Sequence, residues 1–96
     1  MIEFEWDQNN IKHVCEDYPE RKNTISDVES VFYDPNLLPV EKKQVGREQR
    51  RYAVGLSSSG VICFVIFTIG ERRIRPISCW PANSQTKRRY YENIKD

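Results

Sequence analysis

The stretch RYAVGLSSSGVICFVIFTIGERRIRPISCW, residues 51–80, decides the architecture. Its centre, Val61 to Ile69, is an almost unbroken apolar run. A strand of that composition must be covered on both faces, or nearly so. Ser57-Ser58-Ser59-Gly60 before it and Gly70-Glu71 after it are hairpin punctuation. Arg51–Leu56, Val61–Ile69 and Arg72–Trp80 are therefore expected as three strands of an antiparallel meander. Pro76 removes one ladder donor, which predicts a bulge, an edge position or an early exit at that point.

Working outward, Met1 to Trp6 alternates, with Ile2, Phe4 and Trp6 on one side and Glu3 and Glu5 on the other, the pattern of a half-buried strand. Asp7 offers an N-cap for a helix whose Ile11, Val14, Cys15 and Tyr18 fall at i, i+3, i+4 and i+7. Pro19 and the stretch Glu20 to Asn23 end it. Thr24 followed by Asp27 opens a second helix with Val28, Val31 and Phe32 inward, stopping before Asp34-Pro35-Asn36. Both helices are expected on one sheet face. Leu37 to Val40 reads as a short strand, and Glu41 to Gln49 as a polar loop or turn around Gly46. Beyond the meander, Pro81, Asn83 and Ser84 open a third helix reaching about Ile94, with Tyr90, Tyr91 and Ile94 as its apolar side chains. The order β-α-α-β-β-β-β-α makes an α+β domain spanning 1–96, a mainly antiparallel sheet packed by N-terminal helices and a C-terminal helix.

Ninety-six residues hold one core and exclude large multi-domain catalysis. The longest apolar run falls far short of the ~20 residues that cross a bilayer. The opening MIEFEWD is acidic, the opposite of a signal peptide. A cytoplasmic protein with no membrane partner is expected. Cys15, Cys63 and Cys79 form no C-x-x-C pair, and His13 is the lone histidine, so no metal or other cofactor is expected.

A net charge of +1 hides a segregated distribution. Residues 1–36 carry nine acidic and three basic side chains, whereas residues 71–96 carry three and seven. Such a split points to a polyanionic partner for the basic part. The alternative is that the charges only solvate a small domain. Arg73 and Arg75 alternate onto one strand face, and a guanidinium binds phosphate through two parallel hydrogen bonds. Lys87, Arg88 and Arg89 follow in the last helix, and Arg50 and Arg51 extend the basic area. These cations are expected to converge into one anion-receiving surface. Trp80 either stacks a nucleotide base or closes the core. Histidine exchanges protons near neutral pH, so His13 is a candidate for proton transfer or a plain surface residue. Tyr90 is a candidate acid or a core anchor.

These residues carry a resemblance. FEWD with Asn10-Ile11 and His13, then Val31-Phe32-Tyr33-Asp34-Pro35, Arg51-Tyr52, Phe64-Val65 with Phe67-Thr68, Arg73-Ile74-Arg75-Pro76-Ile77-Ser78 and Arg88-Arg89-Tyr90 occur in the order seen in the BrnT toxins. The chain resembles that family over nearly its whole length. The resemblance implies a RelE-like fold and an endoribonuclease that needs no metal and halts translation, acting on messenger or ribosome-associated RNA. It implies neutralisation by a BrnA-type antitoxin with a ribbon-helix-helix module, and contact with operator DNA only through that antitoxin. For such an activity the residues' own chemistry makes His13, Arg73, Arg75 and Tyr90 the catalytic candidates, and Arg50, Arg51, Trp80, Lys87, Arg88 and Arg89 the RNA-binding ones. The chain departs from the family pattern where an arginine is replaced by Trp80 and a glutamate by Thr86. That departure leaves a rival reading, a binding module that holds its antitoxin and operator without cutting RNA.

Overall fold

A computed structural model describes residues 1–94 of the chain. In order come β1 (Glu3–Phe4), α1 (Gln8–Ile11) widening into a π-helical turn (Lys12–Glu16), a 3-10 turn (Pro19–Arg21), α2 (Ile25–Val31), β2 (Leu38–Val45), β3 (Glu48–Leu56), β4 (Ile62–Gly70), β5 (Arg73–Pro81) and α3 (Ser84–Ile94). The protein is α+β, with one mixed five-stranded sheet in the order β1-β5-β4-β3-β2. β1 pairs parallel with β5, and every other pairing is antiparallel.

The apolar run of β4 is covered twice because its neighbours alternate. Cys63, Val65 and Phe67 meet Val14, Val28, Val31 and Phe32 from the two N-terminal helical segments. Ile62 and Phe64 face the other way, toward Val54, Ala82 and Tyr90 of α3. α3 is tied down at one point: the Tyr90 hydroxyl donates to Asp34 Oδ2 at 2.5 Å, and the Leu56 amide donates to the same oxygen at 2.8 Å. Burial, then the adjacent Asp34 carboxylate, pushes the Tyr90 phenol up. Desolvation opposes ionisation of Asp34, but these hydrogen bonds and that of the Asn36 amide hold its carboxyl below the usual range. A depressed carboxyl contributes stability above its unfolded pKa and loses it as pH falls through the folded one.

Three local expectations are corrected. The first helix keeps α geometry for only one turn; the Asp17 amide then donates to the Lys12 carbonyl, five residues back, at 2.8 Å. Tyr18 is thereby turned out of the apolar stripe and is 36% exposed. The segment Glu41 to Gln49 is no loop: β2 continues to Val45, and β3 begins at Glu48, joined through Gly46-Arg47. The hairpin was hidden because every residue from Glu41 to Gln49 is exposed, so neither face shows an apolar alternation. The β4–β5 turn is Glu71-Arg72, one residue later than expected, with φ of 50° and 67°. Two positive φ values make it a primed hairpin turn, formed here without glycine.

Pro76 does bring a bulge. Phe67 pairs with Pro76 and Ile66 with Ser78, leaving Ile77 as the extra residue. Gly55 marks the tightest approach of α2 to the sheet: a Cβ there would lie 2.8 Å from both Leu37 Cδ1 and Val31 Cγ1. Gly55→Ala is expected to cost about 1–3 kcal/mol, measured as a lower denaturant midpoint; an unchanged midpoint would mean that α2 shifts freely.

Candidate nucleic-acid interface

β3 pairs with β4 only from Arg51 onward, opposite Phe67, while Glu48 to Arg50 pair with β2 alone. The tip of the β2–β3 ribbon therefore parts from the β4–β5 hairpin, and the wedge between them opens two adjoining hollows. The larger, ≈ 560 Å³, is lined by Glu5, Arg47, Glu48, Arg51, Thr68 and Arg75 among others. The smaller, ≈ 230 Å³, is lined by Asn10, His13, Glu48, Arg50, Arg75 and Ile77, with Asn9 at its rim. Glu48 and Arg75 belong to both. Local backbone explains each position. The π-helical turn carries His13, the bulge carries Ile77 beside Arg75, and strand alternation puts Glu48 and Arg50 on one ribbon face.

The charges in this wedge hold one another in place. Arg75 forks onto Asp7, Nη1 to Oδ2 at 2.9 Å and Nη2 to Oδ1 at 3.2 Å, with Glu5 Oε2 at 3.5 Å from Nη1. The hydrogen bonds from Arg75 and from the Asn10 amide keep the Asp7 carboxyl below the usual range, and the bond to Asp7 raises Arg75 in turn. Arg50 Nε donates to Glu48 Oε1 at 2.9 Å. His13 Nδ1 lies 3.5 Å from Asp17 Oδ2, which orients the imidazole. Arg47 lines the larger hollow with no ion-pair partner among the described residues.

Beneath the wedge sits Asn10, 5% exposed. Its Oδ1 accepts from the Asp7 amide at 2.8 Å, and its Nδ2 donates to the carbonyls of Glu5 and Pro76, each at 3.0 Å. One side chain thus ties the exit of β1, the start of α1 and the bulge of β5 together.

Of the residues singled out in the sequence, His13, Arg50, Arg51 and Arg75 are brought to the wedge. Arg73 is outside both hollows, its Nε 4.0 Å from Glu3 Oε1. Tyr90 is 2% exposed and committed to Asp34, a core anchor. Trp80 is already partnered: Phe64 stacks on it with centroids 4.9 Å apart, and the Arg21 guanidinium lies 5.5 Å from its centroid. Lys87, Arg88 and Arg89 ride on α3, which packs at the Ile62 end of β4, whereas the wedge lies at the Gly70 end. The expected single cationic surface is therefore two, separated by the length of a strand. Glu48 and Arg47 were missed, because they lay in the segment read as a loop. The signal that could have found them is the continuation of the strand period upstream, Glu48, Arg50, Tyr52, Val54.

Among the described residues no group of three or more His, Cys, Asp or Glu side chains is placed to hold a metal ion. No described helix is long and apolar enough to cross a membrane. A family model described as the ribonuclease toxin, BrnT, of type II toxin–antitoxin systems matches residues 6–85. No curated protein matches the chain significantly.

Proposed function

We infer that this chain, which belongs to the BrnT family of ribonuclease toxins of type II toxin–antitoxin systems, cuts RNA at the wedge between the β2–β3 ribbon and the β4–β5 hairpin. One observation carries the reading. His13 from the π-helical turn, Glu48 and Arg50 from β3, and Arg75 from β5, three separate segments, line one small hollow around shared walls. Cleavage of RNA without a metal needs a base for the 2′-hydroxyl, positive charge for the phosphorane and an acid for the leaving oxygen. Glu48 takes the 2′-hydroxyl proton as the 2′-oxygen attacks phosphorus. Arg50 and Arg47 neutralise the equatorial oxygens. His13, oriented by Asp17, gives its proton to the departing 5′-oxygen. The products are a 2′,3′-cyclic phosphate and a 5′-hydroxyl. Arg75, its fork held by Asp7 and Glu5, positions the floor of the hollow.

The wider reading is of a RelE-like toxin domain acting in the cytoplasm, halting translation and neutralised by a ribbon-helix-helix antitoxin that brings the complex to operator DNA. The family membership and the basic, concave wedge support it. The test is incubation of purified protein with RNA in chelator, with the product ends analysed. Cyclic phosphate ends made by wild-type protein and lost in His13→Ala support the reading. A folded protein that binds its antitoxin and leaves RNA intact establishes the rival, a binding module.

A further inference from the structure

The two faces of the β2–β3 ribbon are charged differently. Lys42 is directly opposite Arg51, and Lys43 directly opposite Arg50. Neighbouring residues of a strand point to opposite faces, so each face carries one pair of like charges set across from one another, an arrangement that costs stability. On the face toward the small hollow the cost is relieved: Glu41 lies 3.4 Å from Lys43 and Glu48 2.9 Å from Arg50. On the far face Lys42 and Arg51 have no ion-pair partner among the described residues, and Arg51 finds only the neutral Gln49 Oε1, at 3.4 Å. Beside this pair the same face holds a mainly apolar hollow of ≈ 120 Å³, lined by Leu37, Pro39, Phe67 and Ile69 together with Lys42, Arg51 and the acidic Glu41. Ile69 is 51% exposed there. Arg51 also lines the larger hollow, so the two are continuous around the root of the ribbon.

We propose that this far-face hollow is a nucleotide subsite for single-stranded RNA: Lys42 and Arg51 take a backbone phosphate, and the apolar floor takes the face of an unpaired base. This rests on the reading of the wedge as the cutting site, since the RNA strand would leave that wedge past Arg51 and continue over the far side of the ribbon. An uncompensated cation pair is matched by a polyanion, and an apolar recess beside it by the ring of a base, which stacks without sequence preference. Local conflict of this kind, between an exposed Lys42 and a half-buried Arg51, is expected where a ligand resolves it.

The probe is a 2′-O-methyl RNA oligomer, which cannot be cut, long enough to pass both faces, with a trinucleotide as the short control. Lys42→Gln with Arg51→Gln is expected to weaken the long oligomer about tenfold at low salt and to flatten the dependence of log K on log salt by about 1.4, or 0.7 for each phosphate charge no longer neutralised. Ile69→Glu, at an exposed position, is expected to weaken the long oligomer further. Because the double substitution removes like-charge repulsion, its melting temperature should equal or exceed that of the wild type, which separates lost binding from lost folding. An unchanged salt slope, or equal loss for the trinucleotide, overturns the subsite. Wild-type protein that binds the oligomer with this slope but cuts no natural RNA overturns the wedge reading and leaves the subsite standing.

Discussion

Glu48→Gln should lower the single-turnover rate of RNA cleavage by about 10²–10⁴-fold, equivalent to roughly 3–5.5 kcal/mol of barrier. The amide keeps the shape of the side chain and an oxygen for Arg50 Nε, now 2.9 Å from Glu48 Oε1, but cannot accept the 2′-hydroxyl proton. Glu48 is exposed and buries nothing, so stability should change by no more than about 0.5 kcal/mol. A rate near wild type would remove Glu48 from proton transfer. Loss of affinity for uncut RNA with the rate constant unchanged would instead make it a residue that places Arg50.

The largest effect on stability is expected at Asn10. Its amide satisfies the Glu5 and Pro76 carbonyls and the Asp7 amide at once, in a site only 5% exposed. Asn10→Ala should cost about 3 kcal/mol, because buried partners lose their hydrogen bonds together. For a domain of this size that is a fall of roughly 10–20 °C in Tm. Asn10→Asp keeps the acceptor for Asp7 but loses both donated bonds and sets a carboxylate against two carbonyls, so it should destabilise at least as much. A thermal melt of Asn10→Ala within a few degrees of wild type would show that water replaces the side chain and that the bulge does not depend on it.

Much of this molecule is legible in the order of its residues. Val61 to Ile69 announces a central strand because solvent would penalise an apolar run left uncovered. Asp7 and Thr24 announce helix starts because their oxygens accept orphan amides, as they do from Asn9 and Asp27. Pro76 announces an interruption because it has no amide to donate. The ribbon from Glu41 to Gln49 was illegible for the opposite reason. Exposed on both faces, it is a strand only because its partner strand pairs with it, and no pattern of burial records that. Trp80 was equally open in sequence; only the fold shows that Phe64 stacks on it and that Arg21 lies beside it.

What the chain determines by itself is local and periodic: the strand–helix alternation, the double-sided core of β4, the caps, an interruption at Pro76 and the segregation of charge. What only the tertiary structure decides is which charges meet. Arg75 meets Asp7 across 68 positions of sequence, and Lys87 to Arg89 are carried to the other end of the sheet despite following β5 closely. Convergence of His13, Glu48, Arg50 and Arg75 depends on where β3 leaves β4 and on a helix widening by one residue. Both are set by packing between elements, because the free energy of a buried contact depends on its neighbours in space and not on their separation along the chain.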